Sequence, residues 1–489
     1  MKKVLAYSLG AAIFFILGTV FSDSETGKLA RDSARSIKSA TIEAVANAAD
    51  AETRTMVLAE NPALITRIME GGAFGGEYSL SAAQNMFGRT EEAIEDVRSK
   101  TRVVEVGPRS YLIRMPIVNA AFFETDAGIV LVDTGMGPAG PAIMDAIRSV
   151  SDKPIHTIIY THGHVDHAYG TWAIMDAGET PQIIAHSNLN NRFERYIRLR
   201  GSLAQYMSQP KIQLPKTRDD LVWPTRIFDD RLELEIGGER FVLQHHRGET
   251  DDQLYVWVPG RKALASADYY QGFLPNAGNG KRSQRYVEEW AVALREMADL
   301  KPEILLPAHG EEITDSAVIQ ENFTVLAEAL QYIVDKTLDG LNAGIRKDLI
   351  YDSIALPQHL VNHPTLNVQY VTVSDISKMV MKQYTGWWDD IPSHWTPATM
   401  HDQGNMIIEL AGGDIPGLVS FAQSLITTNI RLASHLTDWM FYARPDNREV
   451  QQLVYDVYKA RILMPQTNTM EMLTYLDQMT AARARARSQ

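Results

Sequence analysis

Cysteine is absent from all 489 residues. That absence excludes disulfides, thiolate zinc sites, iron–sulfur clusters, a cysteine nucleophile and a lipid-modified N-terminal cysteine, so any bound metal must be held by His, Asp and Glu. Basic residues are in deficit: 47 Lys and Arg face 60 Asp and Glu, a formal charge of −13. A surface of that sign repels polyanions, which argues against a nucleic-acid partner bound by counterion release. Fixed-period repeats and low-complexity tracts are missing too. With 45% of residues apolar, the chain has ample material for packed cores, and its length corresponds to roughly two to four domains.

There is one long apolar run. Lys2 and Lys3 precede Val4 to Phe21, 18 residues without a charge. A basic start followed by an apolar stretch has the form of a secretory signal, and its length also suits a spanning anchor. Both readings of residues 1–22 stay open. Either one leaves the remaining chain periplasmic, secreted, or anchored on the outer side of the cytoplasmic membrane. A disulfide-free protein in such a compartment must draw its stability from core, metal or oligomer.

Residues 23–100 read as a helical lead-in segment broken at Gly71-Gly72 and Gly75-Gly76. The pattern then changes to short β-rich runs: Val103–Val106, Ser110–Arg114, Ala121–Thr125, Ile129–Asp133, Thr157–Tyr160, Gln182–Ala185, a hairpin over Arg231–Leu243, Leu254–Val258, Ala263–Ala267 and Ile304–Leu306. Helices are expected over Pro138–Val150 and Gln284–Leu300. Strands in both meander and β-α order predict a layered α/β domain over 101–315. Residues 316–489 read as helical, with Leu418, Phe421, Leu425, Leu432, Leu436 and Trp439 at three- and four-residue steps as core or interface. The tail Arg483–Arg487 reads as a solvated end.

The chemistry concentrates in Tyr160-Thr-His-Gly-His-Val-Asp-His-Ala. Three histidines and a carboxylate directly after a strand are costly to bury unless their lone pairs are used. A metal uses them, and imidazole with carboxylate suits zinc when thiolates are lacking. The spacing lets His162 and His164 serve one ion while Asp166 and His167 turn to a second.

This His-x-His-x-Asp-His run resembles the metallo-β-lactamase fold, and the resemblance implies an αββα sandwich. Other segments fit it. Ile129-Val-Leu-Val-Asp-Thr-Gly looks like the strand beneath the metal loop, with Asp133 behind the ligands. Ala265-Ser-Ala-Asp268 looks like the strand end that supplies the bridging carboxylate, and Leu306-Pro-Ala-His-Gly like the last ligand loop, giving His309. At Gly248-Glu-Thr most of the fold has histidine, whereas this chain has Glu249. That departure resembles the zinc-dependent alkyl sulfatases, which place an acidic bridge 19 residues later; here it is Asp268 in place of their glutamate. His246 remains an alternative to Glu249. Tyr370 to Pro392, with Tyr384-Thr-Gly-Trp-Trp-Asp389, and Ala443-Arg-Pro-Asp-Asn resemble the all-α alkyl sulfatase dimerisation domain. The sequence ends at Gln489, before any counterpart of the sterol-carrier-like domain common in that family.

The resemblance implies two zinc ions per chain on His162, His164, Asp166, His167, Glu249, Asp268 and His309, with Asp166 and Asp268 as catalytic carboxylates. It further implies a homodimer and a small anionic ester substrate, attacked by a hydroxide formed at neutral pH. For sulfate it points to Asn276 and to Lys281, where the family has arginine, with Arg282 beside it. Lysine offers a point charge in place of a fork. Arg200 and Tyr206 are candidates for the pocket mouth, with an amphipathic surface helix as the alternative. Two further readings stay open: a hydrolase of another ester, lactone, phosphoester or β-lactam on the same fold, and a non-catalytic envelope protein holding metal for structure alone.

Overall fold

The computed structural model describes residues 51–64, 86, 88–206 and 214–487. Residues 1–22, read from sequence as a signal or an anchor, and most of the lead-in lie outside the described residues, among which no helix is long and apolar enough to cross a membrane.

Two sheets form the centre. The first contains β1 (Arg102–Gly107), β2 (Ser110–Arg114), β3 (Asn119–Glu124), β4 (Ile129–Val132), β5 (Ile155–Ile159), β6 (Gln182–His186) and β7 (Arg226–Phe228) in sequential order. Its first four strands run antiparallel and its last three join in parallel. The second contains β8 (Arg231–Ile236), β9 (Glu239–His245), β10 (Leu254–Val258), β11 (Ala263–Ala267) and β12 (Ile304–Pro307), with only β11 and β12 parallel.

Side chains alternate across a strand, and here both faces are covered. In β4, Val130 and Val132 face the second sheet while Ile129 and Leu131 face a helical layer. In β10, Leu254, Val256 and Val258 meet them between the sheets, and Tyr255 and Trp257 point to the other helices. Continuous apolar runs such as Ile-Val-Leu-Val follow from this double burial. The result is the expected αββα sandwich.

The outer helices of the second sheet reach well along the chain. Val287–Asp299, the long Ser316–Asn342 and Val373–Tyr384 share one core with β10 to β12, through Trp290, Leu294, Phe323, Leu330 and Val380. Asp315 caps the long helix, accepting from the amides of Ala317 and Val318. A separate core joins Met400–Leu410, Ile415–Thr428, Ile430–Ala443, Arg448–Ile462 and Thr469–Arg487 with Val57 and Leu64. Strand β7 and the helix Leu189–Arg198 lie outside the elements expected from sequence.

Candidate metal centre

The seven residues singled out from sequence come from four loops at one end of the sandwich. His162 and His164 leave β5, and Asp166 and His167 form the one-turn helix Val165–Ala168. Glu249 follows β9, Asp268 follows β11 and His309 follows β12. Gly163 between the first two ligands is required by packing, since a Cβ there would stand 2.8 Å from the Cβ of Arg192.

The side chains fall into two groups: His162, His164, Glu249 and Asp268, and Asp166, His167 and His309. In the first, His162 Nε2 lies 2.9 Å from His164 Nδ1, and Glu249 Oε2 lies 3.3 Å from His164 Nδ1 and 3.7 Å from His162 Nε2. In the second, Asp166 Oδ2 lies 3.7 Å from both His167 Nε2 and His309 Nε2. Asp268 joins them. Its Oδ2 is 3.8 Å from His162 Nε2, and its Oδ1 is 3.3 Å from His167 Nε2 and from His309 Nε2.

These spacings fit metal. Zinc–nitrogen bonds of about 2.05 Å in a tetrahedron put neighbouring donors about 3.3 Å apart. His167 Nε2, Glu249 Oε2 and Asp268 Oδ1 are buried without a hydrogen-bond partner, a costly condition that a cation in each group relieves.

The outer atoms of the ligands are fixed. Asp133 Oδ2 accepts from His167 Nδ1 at 2.9 Å and from Thr161 Oγ1 at 2.7 Å, while its Oδ1 accepts from the Thr161 amide at 2.7 Å. Thr161 Oγ1 in turn stands 3.1 Å from His162 Nδ1. His309 Nδ1 donates to the Ile117 carbonyl at 2.6 Å. Each contact turns a ring so that its other nitrogen faces the centre. The backbone is strained around them: Ile117, Asp133 and Ala267, the residue before Asp268, have φ of 75°, 63° and 50°. Non-glycine residues held in the left-handed region cluster at functional sites.

Glu249 has its own support. Asn276 Nδ2 donates to Oε1 at 2.9 Å, and Arg285 Nη1 lies 3.0 Å from the same oxygen while also donating to the Glu249 carbonyl. Oε1 is therefore occupied and Oε2 alone faces the first group. Arg285 escaped the sequence reading; its sole signal was a third cation shortly after Lys281-Arg282. His246 instead points away, its Nε2 2.6 Å from Glu296 Oε2, and His245 stacks on His186 at 3.7 Å. The alternative in which His246 takes the place of Glu249 does not agree with this geometry.

Asn276, Lys281 and Arg282 all line the cleft over the centre, together with Arg192, Arg195 and Tyr196. Asn276 is committed to Glu249, and Lys281 Nζ lies 3.6 Å from Asp477 Oδ2 of the last helix. Arg200 is exposed and bonded to the Ile197 carbonyl; it is absent from the cleft lining. The side chain of Tyr206 lies outside the described residues.

Electrostatics favours charged ligands at this centre. Burial raises Glu249, yet Arg285 and His164 outweigh it and hold the carboxyl well below the usual range. Burial lowers His309, and Asp268 outweighs that and lifts it to about 9; His167 is likewise raised, by Asp268, Asp166 and Asp133 against burial. Both imidazoles thus carry protons at pH 7 that a metal must displace. Loading the metal-free protein with zinc at pH 7 in weak buffer is expected to release about two protons per chain, read by a pH indicator. Because His309 deprotonates as pH climbs toward 9, zinc affinity rises over the same interval.

The layered fold and its paired histidine-carboxylate groups define a class of protein. The metallo-beta-lactamase superfamily model matches residues 114–309, and the alkyl sulfatase dimerisation model matches residues 347–484. The chain therefore joins a metallo-β-lactamase superfamily domain to an alkyl sulfatase dimerisation domain. It is 24% identical over 352 residues to a linear primary-alkylsulfatase of a Pseudomonas strain, covering 66% of each chain. It is 23% identical over 381 residues to the alkyl/aryl-sulfatase BDS1 of Saccharomyces cerevisiae, covering 71% of this chain and 58% of that protein. In fold it is similar to the stereoselective inverting sec-alkylsulfatase Pisa1 from Pseudomonas sp., with a TM-score of 0.69, 20% identity, and coverage of 89% and 77%. The chain spans about two thirds or less of the length of these two curated relatives.

Proposed function

We propose that this protein is an exported, zinc-dependent hydrolase of alkyl sulfate esters. The observation that carries the reading is Asp268, whose two oxygens face different ligand groups. The relatives named as alkylsulfatases supply the substrate class, and the uncharged run at Val4–Phe21 supplies the export, by cleaved signal or by anchor.

His162, His164 and Glu249 would hold one zinc ion, Asp166, His167 and His309 the second, and Asp268 both. Such a pair supplies Lewis acidity and hydroxide at neutral pH. The residues of the chain do the remainder. Asp133, Thr161 and the Ile117 carbonyl keep the imidazoles aimed, Asn276 and Arg285 hold Glu249 to one oxygen, and Ile117, Leu203 and Tyr370 give the cleft an apolar wall for an alkyl group. Sulfate release from dodecyl sulfate, measured beside hydrolysis of a phosphodiester and a lactone at equal zinc loading, tests the proposal. Turnover of the sulfate alone supports it. Absence of any turnover with two zinc ions bound would favour a structural role for the metal.

The helical part is read as a homodimerisation surface. It exposes Trp387 (76%), Leu410 (77%), Phe421 (58%) and Leu432 (53%), an unusual concentration of large apolar groups unless something covers them. The last two belong to the stripe noted in the sequence, whose Leu436 is buried. Phe421→Glu combined with Leu432→Glu is expected to convert a dimer to a monomer in analytical ultracentrifugation, with the circular dichroism spectrum unchanged.

A further inference from the structure

Five cationic side chains line the cleft over the metal centre: Arg192, Arg195, Lys281, Arg282 and Arg285. Three have carboxylate partners. Arg192 Nε lies 2.6 Å from Asp251 Oδ1, Lys281 Nζ 3.6 Å from Asp477 Oδ2, and Arg285 Nη1 3.0 Å from Glu249 Oε1. Arg195 and Arg282 pair with no carboxylate among the described residues; the contact made by the Arg282 guanidinium is 3.6 Å from Nη2 to the sulfur of Met470.

The two belong to different walls, Arg195 to the helix Leu189–Arg198 and Arg282 to the loop after β11. They are nevertheless close enough to feel each other. Burial, with the charges of Arg192 and Arg282 added to it, pushes Arg195 below the ordinary arginine value, against the opposing influence of Tyr196 and Asp251. The phenol of Tyr196 in turn senses Asp166 of the metal centre on one side and Arg195, Arg192 and Arg282 on the other. Two partly buried guanidiniums with no carboxylate at ion-pair distance among the described residues, beside a site where an ester must dock, favour an anion.

We infer that Arg195 and Arg282 form the seat for the oxyanion of the substrate, and that Asn276 and Lys281, the pair implied by family resemblance, do not. Asn276 is spent on a metal ligand and Lys281 on Asp477. Two planar forks from different elements lining one cleft offer paired donors to a tetrahedral oxyanion, which a lone ammonium cannot do. This deepens the sulfate-ester reading and rests on it for the identity of the anion.

The test is calorimetric titration of inorganic sulfate, and in a second arm inorganic phosphate, into the zinc-loaded full-length chain. Arg195→Gln and Arg282→Gln are each expected to weaken sulfate at least about tenfold, whereas Lys281→Gln changes it less than about threefold. Arg195→Lys and Arg282→Lys keep the charge without the fork and should give intermediate losses; they also carry the test if a glutamine variant fails to fold or to retain zinc. Unchanged sulfate affinity in both arginine variants, or an equal loss in Lys281→Gln, overturns the assignment. Tighter phosphate binding with the same arginine dependence supports the seat and moves the ester class to phosphate. Sulfate binding that depends on both arginines, with dodecyl sulfate left intact, supports the seat and removes the sulfatase reading. Dodecyl sulfate turnover with sulfate affinity indifferent to both arginines does the reverse.

Discussion

Asp268→Ala lowers sulfate release from dodecyl sulfate by at least about 10³-fold and leaves no more than about one tightly held zinc per chain. The expectation follows from position. Among the described residues Asp268 is the one carboxylate that approaches both groups, with Oδ1 3.3 Å from His167 and His309 and Oδ2 3.8 Å from His162. Each group keeps three other donors after the substitution, so single occupancy survives while the bridge does not. Burial lifts the Asp268 carboxyl to about 7, against the pull of His309 and His167, which marks it as a group that is comfortable as an anion only with cations beside it. Asp268→Glu restores the carboxylate found in the resembling family and is expected to recover a measurable part of the rate. Metal content by mass spectrometry and turnover, measured on the same samples, decide the matter: full two-zinc occupancy in Asp268→Ala would show that the bridge is dispensable.

Arg285→Met has the second-largest effect, and it acts through charge. Where most of the fold places a neutral imidazole, this chain places Glu249, which adds one negative charge to the centre. Arg285, itself buried, returns one positive charge at 3.0 Å. The pair is thus electrically equivalent to the imidazole it replaces. Without Arg285 the carboxylate is left buried and uncompensated, a loss of about 3–5 kcal/mol of stability in the metal-free protein. In the zinc-loaded protein the centre becomes more negative, so metal is retained more firmly and the acidic limb of the kcat profile moves upward by roughly one pH unit. Urea unfolding of the metal-free chain and the pH profile of the loaded one measure the two effects separately. Combining Arg285→Met with Glu249→His removes both charges together and should return the acidic limb toward its original place. A profile unmoved by Arg285→Met would mean that the arginine only packs.

Much of the centre was legible because its donors follow strands. His162 to His167 form a local run, and Asp268 sits one residue and His309 two residues after Ala263–Ala267 and Ile304–Pro307 respectively, whose apolar character marks them as strands at once. Glu249 was readable as a departure from an expected histidine. Arg195 and Arg285 were not legible. A guanidinium acts at the end of a long stem, so its position in sequence says little about where its charge arrives, and Arg285 looks like an ordinary residue before a helix. The commitments of Asn276 and Lys281 were hidden for the same reason: their partners, Glu249 and Asp477, are set by tertiary packing. Strand β7 was missed because Arg226-Ile-Phe is three residues long, too short for an alternation to register.

The clasp between Lys281 and Asp477 has a wider consequence. Asp477 also holds Arg54 at 3.1 Å, so one carboxylate on the last helix gathers a side chain from near the start of the described chain and another from the rim of the cleft. The long helix Ser316–Asn342 meanwhile shares its core with the second sheet. The catalytic half therefore has no clean seam along which it could be cut free. Recombining it with the helical half of a relative would exchange Tyr370 of the cleft lining and the Asp477 partner of Lys281 along with the helices.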